Sequence, residues 1–335
     1  MNDKLANSKK TSRKEQKKKR LLILILLLFF CTILLSSVTY AWFSSNKNAT
    51  IDNIDINVAT LTGIQVSTDA INWSNELTKD QIINAYKTYS RAENQLPDTL
   101  SGISTDGTVV NGKMNMFYGY TEERSKVYYL KTKKETEINC TGDEQCSGHH
   151  YIAFDMFLLT TNETNLVVTS NSSVVNRGEV DDGGQNAARV GFVVLGSVAE
   201  NASAASAQSL MNGRNAIIWE PNYDVHTPMG VEAARNIYGI NTSTSGAARI
   251  PYRGVNQEIT NMVDISQTNS SPFFTAVNPQ ITTTKGFVDD QELVNIPAGI
   301  TKIRVYMWLE GQDVDYENNA ADGQLTFNLE VAITY

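Results

Sequence analysis

Leu325-Thr-Phe-Asn-Leu-Glu-Val-Ala-Ile333 is the stretch of sequence that decides the fold. Leucine, phenylalanine, valine or isoleucine occupies every second position, so that these side chains share one face of an extended chain. Such alternation is typical of a strand with one face in a hydrophobic core. The preceding apolar stretch, Ile303-Arg-Val-Tyr-Met-Trp-Leu309, predicts another strand, and a loop ending at Asp322-Gly323 separates the two. The C-terminal part of the chain is therefore expected to be β-structure.

Apolar segments of the same kind recur towards the N-terminus, separated by loops rich in Asn, Ser, Thr and Gly. The segment 109–114 contains Asn111-Gly112, a pair that favours a type I′ turn, and therefore predicts a hairpin. Many strands joined by polar turns are typical of an antiparallel β-sandwich or jelly roll rather than of a parallel α/β sheet. The other predicted strands are 54–58, 64–66, 151–159, 166–168, 189–195 and 216–219.

Only a few short helices are predicted. Thr78 and Gln81 have the spacing of a capping box ahead of apolar residues, which predicts a helix near 79–90. Ser197 and Glu200 have the same spacing ahead of an alanine-rich stretch. The two further helices are expected at 197–213 and at Val231–Tyr238.

The first 43 residues are unlike the rest of the chain. Residues 1–20 carry nine basic and two acidic side chains, and residues 21–35 contain nothing more polar than a threonine. A basic flank before an apolar run is the pattern of an export signal, and the positive-inside rule keeps that flank in the cytoplasm. With residues 36–43 the uncharged run is long enough to span a bilayer. One N-terminal hydrophobic helix is therefore expected, with the body of the protein outside the cytoplasm.

Two fates of this helix are compatible with the sequence. Thr39 and Ala41 place small residues at the −3 and −1 positions of a cut between Ala41 and Trp42, which would make signal peptidase a partner and the body a secreted or cell-surface protein. Without that cut, Leu21–Phe43 would anchor the body in the cell membrane. The expected divisions are a basic cytoplasmic region (1–20), a signal or anchor helix (21–41), a mature N-terminal strand segment (42–62) and an extracellular β-sandwich body (63–335).

The charge distribution argues against nucleic acid as a partner. The whole chain has a formal net charge of −8, and the first 20 residues contribute +7, so that residues 21–335 sum to −15. Phosphate backbones and anionic membrane surfaces attract basic surfaces and repel acidic ones. An acidic body of this kind is typical of an outward-facing domain.

Two cysteines, Cys140 and Cys146, fall in a polar loop of the exported part. Outside the cytoplasm the default for such a pair is a disulfide, here closing a small ring. His149 and His150 follow closely, and two thiolates with two imidazoles could instead bind zinc. Oxidising surroundings favour the disulfide, so that no metal or other cofactor is predicted.

Few residues have the pattern of a catalytic site. None of the three histidines belongs to an H-E-x-x-H motif, and the chain has no G-x-S-x-G elbow. Trp219-Glu220 and Trp308-Leu-Glu310 place aromatic side chains near carboxylates, as sugar-cleaving sites do. Both tryptophans fall in predicted strands, however, where packing in the core is the simpler interpretation. No catalytic residue is predicted.

Two loops resemble ligand-binding motifs and then depart from them. Residues 107–113 have the spacing of a phosphate-binding loop, but the next residue is Met114 rather than Ser or Thr. Asp313-Val-Asp315 begins like a calcium loop, but Asn318 and Gln324 stand where that loop needs Gly and Glu. The first is interpreted as a hairpin and the second as a solvated acidic loop.

The end of the apolar run carries a family resemblance. Thr39-Tyr-Ala-Trp-Phe43, followed by Ile54-Asp-Ile-Asn-Val58, resembles the TasA/camelysin family of Gram-positive surface proteins, which have a T-x-A-x-F signature at a specialised signal-peptidase site. The resemblance covers about residues 17–66. Leu34–Val38 differs from the glycine-rich approach to the cut in that family.

The resemblance implies a jelly roll whose mature N-terminal segment completes the sheet of the next subunit and so builds a fibre. Ile54, Ile56 and Val58 would then belong to the donated strand. A strand beside a freshly cut terminus has few tethers, and its addition to an open sheet edge supplies a ladder of main-chain hydrogen bonds. The alternative is that residues 54–58 pair within their own chain.

Three functions follow as hypotheses. The first is an exported structural protein of the bacterial cell surface, either a matrix (biofilm) or fibre subunit that assembles with itself or an adhesive component. The second is a membrane-anchored extracellular module that binds carbohydrate or protein. The third is a secreted hydrolase, for which no residues stand out. A fibre subunit predicts cleavage and assembly, and an anchored module predicts a monomer that stays with the membrane.

Overall fold

The computed structural model describes Arg20 and residues 48–58, 64–136, 149–177, 183–235, 239–243, 249–263, 271–316 and 324–334. Within these residues the chain is mostly β. The strands are β1 (Asn48–Val58), β2 (Ile64–Ser67), β3 (Glu76–Leu77), β4 (Asn94–Gln95), β5 (Thr99–Ser104), β6 (Val109–Val110), β7 (Lys113–Met114), β8 (Met116–Arg124), β9 (Val127–Glu135), β10 (Ile152–Thr160), β11 (Thr164–Val168), β12 (Ser173–Asn176), β13 (Ala188–Val198), β14 (Ile217–Glu220), β15 (Arg253–Val255), β16 (Phe274–Ala276), β17 (Ile281–Thr282), β18 (Gln291–Ile296), β19 (Gly299–Glu310) and β20 (Gln324–Thr334).

The helices among the described residues are all short. Thr78 caps the first, and its capping box with Gln81 is formed as the sequence predicts. The α-helices are α1 (Lys79–Ile83), α2 (Gly184–Ala187), α3 (Ala204–Gln208) and α4 (Pro228–Ala233), and 3₁₀ turns lie at Asn84–Lys87 and Ser271–Phe273.

Two groups of strands form the main β-structure. In the first, β20 pairs with β1 on one side and with β11 and β12 on the other, and β18 extends this group beyond β11. In the second, β19 lies between β10 and β13, and β14 and β17 follow β13. β5 pairs with both β1 and β19 and therefore connects the two groups.

The apolar faces of both groups meet in one hydrophobic core. Leu325, Phe327 and Leu329 of β20 belong to the same buried cluster as Ile303 and Val305 of β19. Each of these side chains is at most 1% exposed, which is the arrangement that the alternation in both segments predicts.

The sequence prediction of a mostly β protein with a few short helices is confirmed. Most ladders are antiparallel as expected, but β1–β20, β14–β17 and β19–β5 run parallel. The hairpin at Asn111-Gly112 is also confirmed: both residues have positive φ, 53° and 73°, as a type I′ turn requires. The predicted helix at 21–41 lies outside the described residues, and no helix inside them is long and apolar enough to cross a membrane.

Two helix predictions were wrong in their bounds. Ser197 does not cap a helix because β13 continues through it to Val198, and the helix in that region begins only after Ser203, whose hydroxyl accepts a hydrogen bond from the Ser206 amide. The helix expected at 231–238 is α4, which Thr227 caps and Pro228 begins. In both cases a better cap lies elsewhere in the segment.

Candidate functional site: the slot of the N-terminal strand

The first strand, β1, lies inside the β-structure rather than at its edge. On one side it runs parallel to β20, from Thr50 opposite Gln324 to Val58 opposite Val331, with a register shift between Ile51 and Asn53. On the other side its beginning pairs with β5 and its end pairs with β3. β1 therefore has described partners on its second side at its two ends, residues 48–50 and 56–57, and is paired with β20 from Thr50 onward.

The position that β1 occupies, between β20 on one side and β5 with β3 on the other, is called the slot below. The opposite edge of β20 is taken by β11, at Val331–Thr334, and by β12, at Leu325–Asn328. β1 is thus the partner that covers the remaining edge of β20. A chain without β1 would present unpaired amide and carbonyl groups on both sides of the slot, which is a template for another strand.

The residues predicted to form the donated strand lie in the slot. Ile54, Ile56 and Val58 are the register partners of Phe327, Leu329 and Val331, which belong to the apolar stretch that decides the fold. In this single chain the slot holds the chain's own strand. Donation of the strand to a second copy stays a prediction.

The other predicted site residues concern the signal cleavage, the disulfide and the alternative zinc site. Ala41 and Trp42, at the expected cut, and Cys140 and Cys146, the expected disulfide, lie outside the described residues. His149 and His150, which the zinc alternative invoked, are described and both contact the carboxylate of Glu135. The Nδ1 of His149 lies 2.8 Å from its Oε1, and the His150 ring pairs with Oε2.

The two carboxylates next to tryptophans are buried and paired within the protein. Glu220 is 3% exposed and forms ion pairs with Arg189 and Arg249. Glu310 is fully buried, accepts a hydrogen bond from the Trp308 Nε1–H over 3.1 Å, and burial raises its pKa to about 7. Trp219 and Trp308 are at most 1% exposed, which confirms that they pack in the core.

The interpretation of Asp313 and Asp315 as a solvated acidic loop was wrong. Asp313 is 7% and Asp315 3% exposed. The Asp313 Oδ2 lies 2.5 Å from the Arg189 Nη2, and the Asp315 Oδ2 lies 2.8 Å from the His226 Nδ1. Asp313 is buried against the Arg189 guanidinium, and Asp315 also accepts a hydrogen bond from the Thr227 amide. Both carboxylates have partners inside the protein and do not face solvent.

Sequence reasoning missed a second buried ionic centre, formed by Asp155 of β10 with Lys302 and Arg304 of β19. The carboxylate accepts hydrogen bonds from the Arg304 Nε over 2.8 Å and Nη2 over 3.2 Å, and the Lys302 Nζ lies 3.1 Å away. Burial alone would raise the pKa of Asp155, but Arg304 and Lys302 hold it below its ordinary value. The sequence signal was one charged residue in each of two apolar strand patterns, Asp155 in 151–159 and Arg304 in 303–309. The structure places these two residues opposite each other.

Comparison with known proteins adds no assignment. No protein-family model matches the chain, and neither a curated protein nor a solved structure matches it.

Proposed function

We propose that this chain is an exported structural protein of the Gram-positive cell surface, and that it assembles into fibres by donating β1 to the slot of the next copy. The observation that carries the proposal is the position of β1: the first described strand pairs in parallel with β20, near the other end of the chain, and lies between two sets of partners. In this proposal the body is a β-sandwich or jelly roll, whose two layers are the groups of β20 and of β19.

The connection of β1 to the body makes an exchange feasible. Five residues, 59–63, separate the end of β1 from the beginning of β2. In the proposed exchange, β1 of one molecule occupies the slot of another and its ladder partners stay the same. The exchanged and unexchanged forms then contain the same main-chain hydrogen bonds, as in other exchanges of one element between identical chains.

The slot also supplies specificity for the donated strand. β20 contributes Phe327, Leu329 and Val331 opposite the apolar positions of β1. Over residues 54–58, a shift of one residue would place Asp55 and Asn57 opposite the apolar positions of β20, so the alternation in both strands favours one register there. A second copy of this chain therefore carries the sequence that the slot accepts best.

The N-terminal sequence supports the location. Cleavage after Ala41 would leave only a few residues before β1, a free and weakly tethered end. The basic flank at 1–20 and the apolar run at 21–41 support export of everything that follows.

The proposal is tested by electron microscopy of the protein secreted from cells that express the whole chain. The wild type is expected to form filaments, and Ile56→Pro is expected to abolish them because proline removes an amide and does not fit within a paired strand. Val288→Pro, at a side chain that is 81% exposed, is the matched control and should still assemble. Circular dichroism shows whether each variant keeps its β-structure.

Monodisperse particles from the wild type at all concentrations would contradict fibre assembly. The second candidate, a membrane-anchored binding module, would then gain support if the protein also stays uncut and membrane-associated. A cavity beside Arg304 of β19 is the observation that favours this candidate.

A further inference from the structure

A cavity of about 320 Å³ borders the face of β19 that carries Arg304. Its walls come from residues 89–93, from the start of β7 and from the segment that follows α3. This volume is at the lower end of the range of about 300–1,000 Å³ that holds small molecules in proteins. It suits a ligand the size of one sugar ring rather than a polymer segment.

The floor of this cavity contains a guanidinium with spare hydrogen-bonding capacity. Arg304 is 2% exposed and uses its Nε and Nη2 for Asp155. Its Nη1 is buried and makes no hydrogen bond to any described residue. Nη1 forms an ion pair with Glu93, but the Glu93 Oε2 is 3.7 Å away, which is too far for a hydrogen bond. A buried donor of this kind normally has a partner, and an oxygen in the cavity would supply one.

The charges around the cavity favour an anion. Arg91, Lys113 and Arg304 line it with a single carboxylate, Glu93, which lies 3.4 Å from the Lys113 Nζ. Behind the wall, Asp155 is shared between Arg304 and Lys302. Four cations thus face two carboxylates, in a chain whose body is strongly acidic. Local positive charge inside an acidic body attracts a small anion rather than an anionic polymer.

The remaining walls are partly apolar. Met211 places its sulfur 3.8 Å from the Arg304 Nη2, and the buried Tyr89 and Ala92 line the same side. Convergent cations on one side and apolar groups on the other fit an organic molecule with one charged end.

We propose that this cavity binds a small organic anion, with a carboxylate or phosphate group on the Arg304 Nη1 and the side chains of Lys113 and Arg91. Guanidinium and ammonium groups form their strongest hydrogen bonds with these oxyanions. The site does not depend on strand donation, since β1 contributes nothing to its walls.

The test is calorimetric titration of the full-length chain in mild detergent with three probes that share one ring: glucuronate, glucose 6-phosphate and glucose. At least one of the two anions is expected to bind, about tenfold or more tightly than glucose. The anion that binds distinguishes a carboxylate site from a phosphate site. Failure of both anions to bind at roughly millimolar concentration, or equal binding of glucose, would overturn the proposal.

Variants of the rim keep the test independent of folding. Arg91→Gln changes an exposed side chain and is expected to weaken binding of the anion about threefold, and Lys113→Gln about tenfold. Lys285→Gln removes an equal charge from an exposed residue that does not line the cavity, and should change nothing. An equal loss in Lys285→Gln and Arg91→Gln would show a general charge effect and refute a site in this cavity.

Discussion

The two faces of β19 are both buried, but the charged side chains lie on only one of them, called the polar face, beside Tyr306 and Trp308. Ile303, Val305 and Met307 point into the core shared with β20. Lys302, Arg304 and Glu310 occupy the other face and are at most 2% exposed. The alternation in the sequence therefore identifies correctly which residues share a face. It does not tell whether the polar face meets water or is covered by protein.

The cover over the polar face comes from segments far away in the sequence. The Lys302 Nζ donates hydrogen bonds to the Tyr89 hydroxyl and to the carbonyl of Gln208, each over 3.0 Å. These residues belong to short helical turns and irregular chain, which have no apolar periodicity that could reveal their place over β19. Each charge on this face is tolerated because a specific partner meets it.

The largest effect is expected from breaking the polar face at Asp155. Asp155→Asn keeps the size of the side chain but leaves Arg304 and Lys302 without their shared counter-charge, so that the free energy of unfolding should fall by about 3–5 kcal/mol. Denaturant titration measures it. Asp98→Asn is the matched control, because the Lys79–Asp98 pair is exposed and should contribute less than about 1 kcal/mol. Equal losses in both variants would contradict the difference between buried and exposed ion pairs.

A smaller effect is expected from the apolar face. Met307→Ala leaves a cavity in the core and should lower the free energy of unfolding by about 3 kcal/mol. The same denaturant titration applies, with Val288→Ala on the exposed surface expected to change it by less than about 0.5 kcal/mol. A loss below that of the control would show that this face is not packed as described.

The third effect, of similar size, is a dependence of stability on pH that comes from Glu310 on the polar face. Burial disfavours the charged form of the Glu310 carboxyl and raises its pKa from the ordinary 4.5 to about 7. Its contribution to stability is therefore fully present below pH 4.5 and is lost as the pH rises through 7. About 3 kcal/mol should be lost between these values in the wild type.

Glu310→Gln removes this group and serves as the comparison. Between pH 4.5 and 7, the free energy of unfolding of the wild type should fall relative to that of the variant as the pH rises. A constant difference from pH 4.5 to 8 would contradict the buried titration.

Strand patterns were the part of the fold that the sequence predicted well. The alternation in 303–309 and 325–333, the Asn111-Gly112 turn and the Thr78 capping box depend on local chemistry, and each appears at the predicted place. Helix bounds failed at Ser197, where a long strand overrides a local capping signal. Parallel pairing of β1 with β20 could not be predicted because it joins distant segments.

The candidate site was predicted only in part. The segment 54–58 was identified as a strand, and its position beside β20 is a tertiary fact that no local pattern contains. The burial of Asp313 depends on Arg189, more than a hundred residues earlier, so an acidic loop and a buried ion pair look alike in sequence. The cavity near Arg304 arises from four separate segments and has no sequence signature.

The exchange of β1 between molecules is tested most directly by a disulfide between two separately expressed variants. Asp55 of β1 is the register partner of Asn328 of β20, so Asp55→Cys and Asn328→Cys are made in chains whose native cysteines are serine. Adjacent strands bring such partners within the distance that a disulfide requires. Asn295→Cys on β18, away from β1, replaces Asn328→Cys in the control mixture.

The two variants are mixed, allowed to assemble and oxidised. Strand donation predicts a cross-linked dimer that contains one chain of each variant, and none in the control mixture. The contradicting result is a disulfide within a chain that carries both cysteines and none between the two single variants. It would show that β1 stays in its own slot and would contradict assembly by strand donation.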